Sequence, residues 1–422
     1  MAAGSQRAPD VLIVGAGAIG VAAAYELAGR GVDVLLVEAR DTVGAECSYG
    51  NAGLISPSHC IPLARPGVLR EVPGWLRPGG PVHIRPRLSA DLVRFGVLVA
   101  RSSHRSRMIA GLRGLRDLAR ASRDLFEDLA AAGLSFGYRR DGVMNVCATV
   151  RSWEALQQDA ELLRREGFEP EVMDAEAART IEPSLRADIA GAVRWAEDAH
   201  CEPGLFVAEL ARAARERGAR FEFGARVTGF ERSQDGSITA VRMNGRILRP
   251  KTVVLSAGSW TAPLARLAGT RIPLEAAKGY HVELAPEAAP RLQVPLIFQE
   301  SVFAATPMGG GLRLAGTMEF VGLDPRLSEH RARRLLHEAS SYLNGLDDPG
   351  DFTTWCGLRP CTPDSLPIVG WSVRVPNLLL ATGHAMLGIT LAPVTGRIIG
   401  ELVRQTSSEL AAHALAPSRY RA

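Results

Sequence analysis

Two spacings in the chain are suited to chemistry. GAGAIG places glycines at 15, 17 and 20, with Ala16, Ala18 and Ile19 between them, and Glu38 and Ala39 follow about 20 residues later. Far downstream, Arg359 stands in WCGLRPCTPDSLPIVG (355–370), among glycine, prolines and apolar residues. In the first motif, Gly15 permits a tight turn and Gly17 lets a pyrophosphate approach the backbone. Gly20 lets a helix pack close to its strand, so that the helix N-terminal amides face the phosphates. Glu38 is placed to accept hydrogen bonds from a ribose, and it would repel a 2′-phosphate. In the second motif, a guanidinium offers a planar fork of donors that matches a carboxylate. Pro360, Pro363 and Pro367 stiffen its surroundings. The same arginine could instead be tied to backbone carbonyls or to Asp364.

The elements that must hold these groups follow from hydrophobic pattern. VLIVG is a continuous apolar run ending in glycine, AIGVAAAYELAGRG is alanine-rich and closed by glycine, and DVLLVE is a second apolar run. This predicts strand, helix and strand, with a parallel sheet and a right-handed crossover. KTVVLSAGSW near residue 255 and NLLLATGHAMLGITLAPVTGRIIGELV near the C-terminus carry further buried-strand signals, the latter leading through a glycine-rich turn into a long helix. Between these lie a proline-, glycine- and arginine-rich connection over 62–90, read as ordered but irregular, and a helical pattern over 92–132. Further on come the helices EALQQDAELLRREG and LSEHRARRLLHEASSYL, with strand signals around them. The expected fold is α/β: a Rossmann-type nucleotide-binding domain assembled from 9–90, 188–268 and 352–412. A substrate-binding α+β domain with a mixed or antiparallel sheet is inserted as 91–187 and 269–351. An NAD enzyme usually continues with βα units directly after its second strand. Here a loop, GAECSYGNAGLISPSH, intervenes and the sheet returns only after residue 185, which favours FAD.

Composition narrows the function classes. A net charge of +4 over 422 residues, with scattered arginines, does not suggest nucleic acid. The six cysteines form no CxxC pair, so neither a metal site nor a disulfide framework is expected, and a reducing, cytoplasmic setting is the simplest reading. MAAGSQRAPD lacks an apolar signal core, and no run reaches the roughly 18 apolar residues of a spanning helix. The basic, apolar stretch 92–112 would suit peripheral contact with the inner face of the cell membrane; its plainer reading is an ordinary helix.

GAGAIG with its VE, SYGNAGLISPSH, LSAGSW, KGYHVEL, TPMGGGLRLAGTMEF, GLRPCTPDSLPIVG and TGHAMLGITLAP together resemble the FAD-dependent D-amino-acid oxidase superfamily from residue 10 to about 405. The likeness is closest to bacterial D-amino-acid dehydrogenases, including those acting on D-hydroxyproline. The resemblance implies that Arg359 holds the substrate carboxylate above the flavin. It implies that Ser48, Asn51, Ala52, Gly53, Val227, Ala257, Gly258 and Gly357 contact the cofactor, and that Gly383, Gly388, Ile389 and Thr390 close under its ring. Tyr280 and His59 are implied beside the substrate, with His281 a further candidate and His384 a packed residue. Arg313 matches the lysine by which sarcosine oxidases of the superfamily assist reaction with oxygen, which favours electron transfer to a quinone or other carrier. Cys356 lies one position from a known flavin-tethering site, so non-covalent FAD is expected.

The expected reaction is oxidation of a D-amino acid or cyclic D-imino acid, such as D-proline or D-hydroxyproline, by hydride transfer to flavin. The alternatives are a sarcosine- or glycine-type amine oxidase consuming oxygen and a non-catalytic flavin subunit. Nothing in the sequence fixes the oligomeric state.

Overall fold

The computed structural model describes residues 8–77, 79–346, 350–406 and 414–420. The stretch 1–7, read above for a signal core, and the end of the third nucleotide segment at 407–412 lie outside them. The first unit is as expected: β1 (Val11–Val14), the helix Ala18–Gly29 and β2 (Val34–Val37), both strands buried on every residue. After β3 (Leu54–Ile55), the connection is more regular than its composition suggests. Val68–Trp75 is a two-turn helix despite Pro73, and β4 (Val82–Ile84) is a strand. So short a helix has few backbone bonds for a proline to remove, and Val68, Val72 and Trp75 share its inward face at helical spacing. The helical pattern over 92–132 resolves into two helices, Ala90–Ser102 and Arg105–Ala131.

β5 (Val143–Cys147), β6 (Pro170–Met173), β7 (Gly191–Trp195) and β8 (Ala199–His200) follow, then β9 (Arg220–Glu222), β10 (Val227–Arg232), β11 (Ile238–Met243), β12 (Arg246–Leu248) and β13 (Thr252–Leu255). The long strands β14 (Glu275–Leu284), β15 (Leu296–Phe298), β16 (Phe303–Met308) and β17 (Gly311–Phe320) precede the helix Glu329–Ser340. The chain then runs through β18 (Phe352–Cys361), β19 (Ile368–Trp371), β20 (Leu378–Thr382) and the helix Ala392–Arg404.

The first sheet has the order β19-β20-β13-β1-β2-β9, parallel except for β19. The second runs β18-β14-β17-β16-β15-β5-β7-β6, with β4 against β17, and mixes antiparallel with parallel pairs. Gly191–Trp195 and Phe352–Cys361, expected in the nucleotide-binding segments, hydrogen-bond into the second sheet. The reason is pairing: Gly191–Trp195 is read as a strand from sequence, but for both segments only the partner strands decide the sheet. β3 and β8 form a separate two-stranded ribbon.

Candidate active site

A cavity of about 1200 Å³ runs between the two sheets, larger than the roughly 300–1,000 Å³ of an ordinary small-molecule pocket. One end is the glycine turn. Gly15 has φ +107°, and a Cβ there would lie 2.7 Å from the Ser256 carbonyl oxygen; a Cβ on Gly20 would lie 1.9 Å from the Gly15 oxygen. Glu38 ends β2 with its carboxylate held in place, Oε2 accepting the Ala16 N–H at 2.7 Å and Oε1 the Arg40 N–H at 2.9 Å. Ser48 Oγ accepts the Ala18 N–H at 2.9 Å and lies against the N-terminus of the helix that opens there. A cradle that excludes side chains, opens onto helix amides and ends at a fixed carboxylate fits a dinucleotide.

Gly15, Gly17, Ala18, Ile19, Glu38, Ala39, Ser48, Asn51, Ala52, Val227, Ala257, Gly258, Gly357, Gly388, Ile389 and Thr390 all line this cavity. Ala16, Gly20, Gly53 and Gly383 do not. Ala16 is buried beneath the turn, and Gly20 packs the helix onto it. Gly53 has φ +76° with Cys201 across from it, where a Cβ would lie 2.2 Å from the Cys201 oxygen. Gly383 has φ +82° and shapes the turn before His384. These four act through the backbone.

The other end is built on β18 and β14. Residues opposite each other in the ladder share a face. Ala277 with Arg359, Gly279 with Gly357 and His281 with Trp355 therefore point one way, while Tyr280 with Cys356 point the other. Arg359 reaches across Gly279 to β17, where the ladder slips between Lys278 and Tyr280. Thr317 and Met318 stand opposite the single Gly279 in this bulge, Thr317 with φ +60°. The carbonyls so freed take the guanidinium: Nη1 donates to Thr317 O at 2.5 Å and Nη2 to Gly316 O at 3.4 Å. Of the two sequence readings, the tie to backbone carbonyls is the one seen here. The carbonyls fix the fork, yet Arg359 has no carboxylate partner among the described residues and keeps three of its five N–H donors for the cavity it lines. Asp364 is engaged elsewhere, by Arg419 and Tyr420. Burial lowers the Arg359 pKa from its ordinary value, with the thiols of Cys47 and Cys361 nearby. The two sheets are pinned beside the clamp by Ser259, just after β13, whose Oγ donates to Leu358 O at 2.8 Å.

Tyr280 is not at the site. Its ring is buried in the core of the second sheet, and its Oη donates to Glu319 at 2.6 Å, a carboxylate also paired with Arg331. A one-residue step along β14 reverses the face, and that step separates Tyr280 from Gly279. His281 is on the clamp's face, but it stacks on Trp355 with ring centroids 5.1 Å apart, and Trp355 is the residue that reaches the cavity. Burial pushes the His281 pKa down to about 3. His59 does line the cavity, and desolvation lowers its pKa. His384 is packed as expected, Nε2 to Thr395 Oγ1 at 3.0 Å, with a pKa pushed down to about 3.

Arg313 does not line the cavity. Its Nη1 donates to Tyr49 O at 2.8 Å and Asn51 O at 2.9 Å, so it anchors the loop behind the cofactor cradle. Cys356 faces away from the clamp, and its Sγ lies 3.4 Å from Pro325 O. The thiol that does line the cavity is Cys47, its pKa pushed up to about 12 by burial. Trp355, Thr317 and Ser58 are further lining residues that the sequence did not single out. For Trp355 a signal existed: it is four residues before Arg359 in one strand, hence on the same face.

Comparison with known proteins agrees with this geometry. Residues 10–402 match the DAO family, described as FAD dependent oxidoreductase. The chain is 33% identical over 418 residues to a D-amino acid dehydrogenase of Cereibacter sphaeroides, covering 97% of this chain and 95% of that protein. It is 30% identical to a D-amino acid dehydrogenase of Agrobacterium fabrum, covering 98% of this chain and 100% of the relative. Among solved structures, glycine oxidase from Geobacillus kaustophilus superposes with a TM-score of 0.78 at 24% identity, over 98% of this chain and 99% of that one. With its nucleotide cradle, its match along nearly the whole length and these relatives, the chain belongs to the DAO family of FAD-dependent oxidoreductases.

Proposed function

We propose that the protein is a D-amino-acid dehydrogenase that oxidises a D-amino acid or a cyclic D-imino acid such as D-proline or D-hydroxyproline. The observation that carries the reading is Arg359, a fork fixed by two carbonyls, without an acidic partner among the described residues, at the end of the cavity opposite the nucleotide cradle. A substrate carboxylate completes its hydrogen bonding and orients the α-carbon. FAD supplies the hydride acceptor. Gly279 and Gly357 keep the floor of the site low, and Trp355 with the 56–59 loop limits the space left for water. The names of the curated relatives support the same substrate class.

Electrons pass on to a carrier, for which we propose a quinone. Among the described residues no helix is long and apolar enough to cross a membrane. Leu69, Leu76, Leu88, Val93 and Val97 are exposed on and between the helices Val68–Trp75 and Ala90–Ser102, within a stretch (65–107) holding nine arginines and two acids. That combination suits an anionic membrane surface. Co-sedimentation with phosphatidylglycerol vesicles, lost in Val93→Asp/Val97→Asp, is the expected result. The FAD is proposed to be non-covalent, so acid precipitation releases the yellow colour into the supernatant.

The deciding experiment is anaerobic bleaching of the flavin by a panel of D- and L-amino acids, D-proline, D-hydroxyproline, sarcosine and glycine. Bleaching by the D-forms, without stoichiometric peroxide when air is admitted, is expected. Preference for sarcosine or glycine with one peroxide per turnover would instead indicate an amine oxidase. A flavin bleached by none of them would indicate a non-catalytic subunit.

A further inference from the structure

The 56–59 loop conceals a carboxylate that the reaction outlined above leaves unused. Asp198 is fully buried, and among the described residues it has no arginine or lysine within ion-pairing distance. The β3–β8 ribbon pairs Leu54 with His200 and Ile55 with Ala199, which brings Asp198 alongside Ser56 and Ser58. Ser58 N–H donates to Asp198 Oδ1 at 3.1 Å, and Ser58 Oγ donates to Oδ2 at 2.5 Å. Ser58 itself lines the cavity, so the carboxylate is one hydroxyl away from the space in which Arg359 waits. The same loop is tied to the cofactor side, because Ser56 N–H reaches Thr390 Oγ1 at 3.5 Å and Thr390 Oγ1 donates to Leu54 O at 2.9 Å.

Burying an unpaired carboxylate is costly, and here no cation offsets it. Its neighbours do not supply one. Glu197, next in the chain, is engaged by Arg120 and Arg123 of the helix Arg105–Ala131. Arg116 of that helix is bound to Glu166. Cys60 is buried and its thiol pushed up to about 12. His200 on β8 is pushed down to about 4, and His59 on the loop is also lowered, both by burial. Burial raises the Asp198 carboxyl to about 7, against the lowering effect of the Ser58 hydrogen bonds.

Resting on the proposed amine oxidation, we propose that Ser58 and Asp198 form a proton relay that takes up the proton of the substrate ammonium before oxidation. Arg359 holds the carboxylate while the ammonium gives one proton to Ser58 Oγ. Ser58 in turn passes its own hydroxyl proton to Asp198 Oδ2. The products are a neutral amine with a free lone pair and a neutral carboxylic acid, and the total charge is unchanged. The neutral amine so formed is the form from which bound FAD would accept the α-hydrogen, and Asp198 gives its proton back through Ser58, its contact toward the cavity. Ser58 touches the substrate; Asp198 acts through it.

The relay works only when Asp198 is ionised, so kcat/KM rises with pH through about 7. The test is the pH profile of kcat/KM for D-proline, with an artificial dye as acceptor, in wild type, Asp198→Asn, Ser58→Ala and Ser58→Thr. In Asp198→Asn and Ser58→Ala the near-neutral limb disappears. Activity at pH 7 falls about 100-fold, the order expected of general-base assistance. At pH 10, where much of the amine is already neutral in solution, the variants come within about threefold of wild type, the base then being dispensable. Ser58→Thr, which keeps the hydroxyl, retains the limb. In substrate-free holoenzyme, an infrared carboxylic-acid band that titrates near pH 7 is present in wild type and absent in Asp198→Asn. A uniform loss at every pH, or survival of the limb in Asp198→Asn, overturns the relay while leaving the oxidation itself standing. A wild-type flavin that no D-amino acid bleaches overturns the functional reading and the relay with it.

Discussion

The Cβ that Gly279 lacks would lie 2.2 Å from Cζ of Arg359. The guanidinium passes over that bare stretch of β14 to reach the carbonyls of Gly316 and Thr317, so the clamp depends on a hydrogen atom one strand away. Gly279→Ala is therefore expected to push the fork out of place. The dissociation constant of a simple carboxylate inhibitor rises about tenfold while FAD content is unchanged, as for a lost charge-assisted hydrogen bond. Arg359→Ala lowers kcat/KM by roughly 100- to 1000-fold, the cost of truncating a buried charge pair. Steady-state kinetics and inhibitor titration on both variants check this.

Gly20→Ala is expected to purify colourless. The new methyl would sit 1.9 Å from the Gly15 carbonyl oxygen, and the obstacle is backbone, which cannot swing aside. The helix Ala18–Gly29 must shift from its strand, moving its amides away from the phosphates. The ratio of absorbance at 450 and 280 nm measures the outcome.

Arg313→Ala should weaken FAD binding by about tenfold, because two hydrogen bonds to the Tyr49 and Asn51 carbonyls disappear and the cradle loop loosens. Arg313→Lys should leave oxygen reactivity at the wild-type level, since the side chain points into that loop and not into the cavity. Flavin titration of apoprotein and peroxide assays separate the two statements.

Acid stability should carry a signature of His384. Its folded pKa, about 3, is below the usual 6.5, so the unfolded chain binds a proton that the folded chain refuses. Stability is therefore fully present above pH 6.5 and falls as pH drops toward about 3, by on the order of 5 kcal/mol from this group. His384→Asn flattens that slope. Urea unfolding between pH 7 and 4.5 compares the two proteins.

The parts of the fold legible in the sequence are those dictated by local sterics. Gly20 is required by its contact with Gly15 inside one strand-turn-helix unit, and Gly15 by its own positive φ, so their spacing announces the cradle. Arg359 is legible as a fork among prolines, and the FAD-binding family is legible in the motifs around it. What stays hidden depends on pairing. Tyr280 and Gly279 are neighbours in sequence, yet the register against β18 sends one to the core and the other to the site. The bulge at Thr317 exists only because β14 and β17 meet out of step, and Gly191–Trp195 looks the same in sequence whichever sheet receives it. Asp198 reads as an ordinary acid in WAEDAH; its interest arises from complete burial, which no local pattern announces.

The hydrogen bond from Ser259 to the Leu358 carbonyl has a consequence for divergence. The cradle hangs from β1 in one sheet and Arg359 from β18 in the other, so the gap across which the reaction occurs is a property of the seam between them. Sliding one sheet along that seam presents a different bond of the bound molecule to the same cofactor. Relatives can thus keep one nucleotide grip unchanged and still come to oxidise different compounds.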